Sequence, residues 1–129
     1  MTPELTSLTL AALLQVLQLC LYSVAGQAQL GTKTALKPRD DTPMLTGTPG
    51  RIKRALDNHF EGLLLFAIAC IVITVSDQST PLTTTCAWIY LAARVLYIPA
   101  YVFGWVPWRS LIWAMGFLTT TIMLFSILI

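Results

Sequence analysis

The stretch that decides the fold is residues 51–75, "RIKRALDNHFEGLLLFAIACIVITV". It opens with basic and other polar side chains and then runs without interruption into apolar residues. A predominantly apolar run of roughly 20 residues is what an α-helix needs to cross the hydrocarbon core of a bilayer. Ionisable side chains inside a membrane span are costly and usually functional. The stretch therefore predicts a membrane helix that carries part of a functional site at one end.

The composition extends this interpretation to the whole chain. Of 129 residues, 56% are hydrophobic and only 11% are charged, whereas about a quarter of the residues in a soluble domain are charged. The apolar residues fall in blocks that predict four spans, at about 5–27, 55–76, 82–103 and 108–128, with a long loop at about 28–54. The N-terminal block lacks a basic segment and a cleavage site, so it is predicted to be a retained span. We expect one all-α domain, residues 1–129, that forms a four-helix membrane bundle.

The distribution of charge predicts the orientation. The first loop holds most of the basic residues: Lys33, Lys37, Arg39, Arg51, Lys53 and Arg54. Because positive charge marks the cytoplasmic side, the first and third loops are predicted to face the cytoplasm and both termini to face away. The predicted location is a multi-pass membrane protein, in the cell inner membrane if the source is bacterial. A net charge of +2 is too small to suggest nucleic acid as a partner.

Two of the predicted spans carry polar residues at helical spacing. In the second span these are spaced by three, four and three positions: Arg51, Arg54, Asn58 and Glu61. In the third span the spacings are three and four: Arg94, Tyr97 and Tyr101. Such spacings put each set on one helical face. Counting outward from Ser79 in the intervening turn puts Glu61 level with Tyr97 and Asn58 level with Tyr101, which predicts a shared polar cavity.

Arg94 is predicted to lie about one turn deeper than Glu61, where the two would form a buried ion pair. A plainer interpretation is that this pair only joins two helices, while Arg51 and Arg54 reach the lipid headgroups. That plainer interpretation requires two helices to be polar at the same depth by coincidence, so the shared polar cavity is the favoured interpretation. His59 is off the polar face and is predicted to be a packing or interfacial residue.

The chain has three cysteines, Cys20, Cys70 and Cys86, all within apolar runs. They form neither a CxxC motif nor a spacing typical of metal ligands, so they are predicted to be buried structural thiols, and no metal is expected.

The segments "RIKRALDNHFEG" and "ARVLYIPAYVFGWVPWRSLIW" resemble the MAPEG family, the membrane-associated proteins in eicosanoid and glutathione metabolism. The resemblance covers essentially the whole chain, and its short length resembles the bacterial branch. It implies a homotrimer that binds glutathione, as a cosubstrate, between neighbouring subunits near the cytoplasmic face.

The resemblance also implies roles for single residues. Glutathione binding falls on residues of the second and third helices: Arg54, Asn58, Glu61, Tyr97 and Tyr101. Catalysis falls on Arg109, which matches an arginine proposed to stabilise the thiolate, with Ser110 beside it. The chain departs from several relatives at Asp57, Gln29 and Tyr97, which argues against a dedicated eicosanoid enzyme.

The chemistry of glutathione fits the available charges. The tripeptide carries two carboxylates and one ammonium, which match four arginines and a glutamate: Arg51, Arg54, Arg94, Arg109 and Glu61. A free thiol with a pKa of about 8.5 is mostly protonated at neutral pH, and a nearby guanidinium favours the nucleophilic thiolate. The predicted function is a glutathione-dependent transferase or peroxidase that acts on lipophilic electrophiles arriving from the membrane.

Two other functions compete with this one. A non-catalytic membrane scaffold of the same fold would have lost the thiol site, but Arg109, Ser110 and the two tyrosines are present. A small multidrug exporter also has four short spans, but it needs an acidic residue within its first helix. Here that helix offers only Glu4 at its edge, so the exporter is disfavoured.

Overall fold

The computed structural model describes residues 1–31 and 45–129, and these form four long helices. In chain order the helices are α1 at Pro3–Leu30, α2 at Gly47–Val75, α3 at Pro81–Val102 and α4 at Trp108–Leu128. All four are long and apolar enough to cross a membrane. The predicted all-α membrane bundle is confirmed. Part of the predicted basic loop, with Lys33, Lys37, Arg39, Asp40 and Asp41, lies outside the described residues.

Helix α2 begins well before its apolar run. Arg51, Lys53 and Arg54 therefore lie on the helix itself. The end of the bundle where α1 and α3 finish and where α2 and α4 begin is called the charged end below.

The helix starts at the opposite end follow from local sequence. Thr2 caps α1 by accepting a hydrogen bond from the Leu5 N–H at 3.2 Å, and a proline occupies the first turn. Thr80 caps α3 in a reciprocal capping box with Thr83. A Ser or Thr cap satisfies an N–H that has no partner within the helix, and proline needs none at that position.

The α2–α3 hairpin forms the centre of the bundle, because both other helices pack against it. Helix α1 packs against α2 and α3, and α4 packs against the same two helices. In the core the Phe66 ring stacks on the Tyr90 ring, with centroids 3.8 Å apart. Fully buried alanines on three helices, Ala11, Ala69 and Ala87, surround this stack. Small residues let membrane helices approach closely, so dispersion forces can hold them together.

The outer surface of the bundle is apolar. Leu13, Val24, Ile71 and Phe125 all expose half or more of their side chains. Such a surface would be costly in water, but lipid tails are as apolar as leucine. The prediction of three buried thiols is corrected, because Cys70 and Cys86 are buried whereas Cys20 is exposed on the outer face of α1.

Glu4 is the buried carboxylate of the end opposite the charged end. The sequence pattern placed it at the edge of the first helix; it lies in the first turn of α1 and is 0% exposed. Its oxygens accept hydrogen bonds from Ser79 Oγ at 2.8 and 2.9 Å and from Thr83 Oγ1 at 2.6 Å. These bonds, with the favourable dipole of a helix N-terminus, tie the start of α1 to the turn between α2 and α3.

Candidate functional site

The register between α2 and α3 differs from the predicted one by about one helical turn. Asn58 lies beside Arg94, and Tyr101 lies beside Arg54 rather than beside Asn58. The reason is the position of the turn. Helix α2 ends at Val75, and the chain reverses near Asp77, which has a φ of 56°. Counting depth from Ser79 therefore placed the α3 residues too far from the charged end.

Arg94 forms the centre of the site. It is only 4% exposed. Its Nη1 donates to Asn58 Oδ1 at 2.9 Å, its Nε donates to His59 Nδ1 at 3.2 Å, and its guanidinium lies 4.6 Å from the centroid of the Tyr97 ring. The predicted ion pair with Glu61 is wrong: the one ion pair among the described residues joins Lys53 and Asp57. An amide, an imidazole and a ring face hold the cation instead.

His59 fixes this arrangement to α1. It is 0% exposed, and its Nε2 lies 3.0 Å from the carbonyl oxygen of Ala11. An arginine N–H can only donate and a carbonyl can only accept, so the imidazole accepts at Nδ1 and donates from Nε2. The contacts thus select one neutral tautomer. The prediction of a packing histidine is confirmed, and the residue also orients Arg94.

A second set of arginines surrounds Tyr101 nearer the charged end. Arg54 Nε donates to the Tyr101 hydroxyl at 3.2 Å, and the Arg109 guanidinium lies 5.1 Å from the centroid of the same ring. Arg51 Nη1 donates to the carbonyl oxygen of Val102 at 3.2 Å. All three arginines are exposed on the single chain. They form a cationic rim in which Arg54 and Arg109 contact the Tyr101 side chain and Arg51 binds the backbone of the next residue.

A cavity of about 300 Å³ opens at this rim between α2, α3 and α4, and is called the charged-end cavity below. It is lined by Asn58, Tyr97, Tyr101, Arg109, Ser110 and Trp113. Five of these residues were predicted for the site from the sequence. One guanidinium, two phenols, a hydroxyl and an amide converge there, which suits a polar anionic ligand.

A deeper cavity of about 200 Å³ adjoins the first, and Asn58 and Trp113 line both. It also meets Glu61 and Arg94, two of the four predicted residues that do not line the charged-end cavity; the other two are Arg51 and Arg54. The other lining residues are mostly apolar or small, so this space, called the deep cavity below, has a different chemistry.

Sequence reasoning missed Tyr90 and Trp113. Tyr90 precedes Arg94 by four positions, so it continues the polar face of α3 by one turn, and the periodicity could have included it. Trp113 carried no such signal, because an apolar aromatic in an apolar helix looks like lipid contact. Gln29, which departs from the family pattern, clamps the end of α1 to Thr46: its amide donates to the Thr46 carbonyl at 2.8 Å and accepts from the Thr46 N–H at 2.9 Å.

Comparison with known proteins gives one family. The model of the MAPEG family matches residues 7–129, nearly the whole chain. None of the curated proteins matches.

Proposed function

Because this chain belongs to the MAPEG family, we propose that it is a glutathione-dependent transferase or peroxidase that acts on lipophilic electrophiles. The observation that carries the proposal is the charged-end cavity. There Arg109 and Ser110, at the start of α4, line the same space as Asn58, Tyr97 and Tyr101 from the α2–α3 hairpin. Residues far apart in the sequence thus supply one set of anion-binding groups beside an apolar cavity.

The charges around the cavity match those of glutathione. The exposed guanidinium groups of Arg51 and Arg54 are available for the two carboxylates of the tripeptide, and planar guanidinium groups suit carboxylates. The exposed carboxylate of Glu61 is available for its ammonium. Arg109 is then the cation left for the thiol, and it favours the thiolate because it stabilises only the charged form. The deep cavity is the place for the apolar electrophile.

Thiolate formation tests this function directly. Adding glutathione to the purified protein in detergent at neutral pH is expected to produce the ultraviolet absorbance of a thiolate, because the site stabilises the anion. The absorbance should saturate with glutathione concentration. A protein that binds no glutathione would be a non-catalytic scaffold of the same fold. Glutathione bound as the thiol, without the absorbance, would contradict the proposed role of Arg109.

The proposal includes a homotrimer, because the site is open on a single chain. Arg109, which lines the charged-end cavity, and Glu61, which lines the adjoining deep cavity, are both exposed, as are Arg51 and Arg54 at the same end of the bundle. A neighbouring subunit that covers this side would exclude lipid and complete the cleft. Native mass spectrometry or crosslinking in mild detergent is expected to give trimers. Monomers and dimers alone would contradict the assembly.

The orientation in the membrane is also part of the proposal. The charged end would face the cytoplasm, where basic residues of membrane proteins concentrate and where glutathione would reach the cavity from water. Trp105 and Trp108 are exposed at this end, as expected for aromatic residues at a membrane interface.

A further inference from the structure

Two side chains in the wall of the deep cavity each have a buried hydrogen-bond donor without a partner. Tyr90 is 2% exposed and Arg94 is 4% exposed, and both line the cavity. Within the described part of the chain, neither the Tyr90 hydroxyl nor Arg94 Nη2 makes a hydrogen bond. A buried donor without an acceptor costs about 1–3 kcal/mol. Two such donors at one cavity point to a ligand with an acceptor atom.

The remaining hydroxyl groups of the cavity are already used within α4. Thr120 Oγ1 donates to the Gly116 carbonyl at 3.0 Å, and Thr121 Oγ1 donates to the Phe117 carbonyl at 2.8 Å. Tyr90 and Arg94 therefore remain as the side chains of this cavity with a buried donor that has no partner among the described residues.

Gly62, which also lines the cavity, lies beside both side chains. A Cβ atom built on Gly62 would lie 3.2 Å from Tyr90 Oη and 3.9 Å from Arg94 Nη1, the nitrogen that donates to Asn58. A side chain larger than that of glycine would therefore crowd the Tyr90 hydroxyl. Arg94 cannot easily turn away, because His59 and Asn58 hold its other nitrogens.

The surroundings select the kind of acceptor. Leu65, Trp113, Phe117 and Leu124 form apolar walls, which suit an apolar body. Glu61 also lines the cavity, so its negative charge would repel a carboxylate. A neutral oxygen acceptor on a lipophilic molecule fits both features, and a carbonyl oxygen is the strongest common one.

We propose that the deep cavity binds α,β-unsaturated carbonyl compounds, with Tyr90 and Arg94 holding the carbonyl oxygen. This rests on the proposed function. The glutathione thiolate forms a bond to the β-carbon, and the electron pair of the carbon–carbon double bond moves toward oxygen to give an enolate. The Tyr90 hydroxyl and the Arg94 guanidinium stabilise that negative charge. A proton, equivalent to the one lost by the thiol, then adds to the α-carbon, so the reaction is a net addition without a leaving group.

The geometry favours the transition state over the bound ketone. Charge on oxygen increases as the carbon–sulfur bond forms, and a fixed cation in a site of low polarity interacts more strongly with the enolate than with the carbonyl. The shared lining by Asn58 and Trp113 brings the β-carbon to the boundary of the charged-end cavity, where the thiolate lies.

The first test measures binding without any thiol chemistry. 4-Phenylbutan-2-one, labelled with ¹³C at the carbonyl, is added to the protein in detergent micelles, and the infrared carbonyl band is recorded. Hydrogen bonding to bound ketone is expected to produce a second band at lower frequency. Tyr90→Phe keeps the ring that stacks on Phe66 and should move this band back toward its position in plain detergent. Tyr22→Phe, which removes a phenol from α1 away from the cavity, should leave the band unchanged.

The second test measures turnover with two electrophiles and glutathione. Tyr90→Phe should lower kcat for 4-phenylbut-3-en-2-one by ~10²-fold, as the loss of one oxyanion donor typically does. Turnover of benzyl chloride, which has no carbonyl, should fall much less. Gly62→Ala, which crowds the Tyr90 hydroxyl, should also affect the enone more than the halide.

The outcomes separate this inference from the proposed function. If wild-type protein conjugates neither electrophile, the glutathione function is wrong, and the infrared bands still decide whether a carbonyl binds at Tyr90. If wild-type protein gives no low-frequency band, or Tyr90→Phe retains it, the carbonyl site is wrong. Equal losses for both electrophiles in Tyr90→Phe would likewise overturn it.

Discussion

Replacing Arg109 with alanine is expected to lower the turnover of glutathione conjugation by ~10²–10³-fold, the usual effect of removing a preorganised charge from a developing anion. The guanidinium acts on the thiolate, the reacting form, and hardly on the neutral thiol. Turnover and the thiolate absorbance should therefore fall together, while glutathione binding falls less. Steady-state kinetics with a model aryl halide, alongside a binding titration, measure both effects.

The start of α4 explains why the side chain, rather than the backbone, must supply this charge. The Arg109 N–H donates to the Trp105 carbonyl at 2.9 Å, and the Ser110 N–H donates to the Pro107 carbonyl at 3.1 Å. These N–H groups are already used, so the helix N-terminus adds only its dipole. The guanidinium, held against the Tyr101 ring, is the group free to bind an anion.

Two further variants control this experiment. Arg109→Lys should recover only part of the activity, because an ammonium is a point charge without the planar fork of a guanidinium. Lys53→Ala removes an exposed cation from the same end of the bundle, where it pairs with Asp57, and should leave turnover unchanged. If Arg109→Ala keeps near-normal turnover, Arg109 only anchors α4 at the headgroups, and thiolate stabilisation belongs to Arg51, Arg54 or Tyr97.

Replacing His59 with leucine is expected to lower the free energy of unfolding in detergent by about 1.5–3 kcal/mol, the contribution of a hydrogen bond to a charged group. Leucine fills a similar volume but cannot accept from Arg94. Hydrogen bonds between helices in membranes average only about 0.6 kcal/mol. The effect here should be larger because the partner is a buried cation. Equilibrium unfolding in mixed micelles measures the loss.

Glu61→Gln is the matched control for the stability experiment. Its carboxylate is exposed on the single chain and makes no ion pair with Arg94. The variant should therefore unfold like wild type, although glutathione binding should weaken if Glu61 binds the ammonium. Marked destabilisation by Glu61→Gln, with little effect of His59→Leu, would mean that the carboxylate rather than the imidazole stabilises Arg94.

The sequence by itself determined the four membrane helices and most of the candidate site. Both depend on local properties: a run of apolar residues long enough to span a bilayer, and polar residues repeated at three and four positions. Thus Asn58, Tyr97 and Tyr101 could be assigned to inward polar faces without knowledge of their neighbours. The buried position of Glu4 could not, because its hydroxyl partners, Ser79, Thr83 and Thr84, lie more than 70 positions away in the chain.

Only the tertiary structure decided which of these residues meet. The chain reverses near Asp77, so α3 is shifted along α2 by about one turn from the register counted from Ser79. One turn is 5.4 Å long, which exceeds the length of a hydrogen bond. It brings Arg94 to Asn58 and His59 instead of Glu61, and it places Tyr90 in the wall of the deep cavity. Partner choice between helices depends on depth to within a hydrogen-bond length, whereas hydropathy and periodicity define a helix only to within several residues.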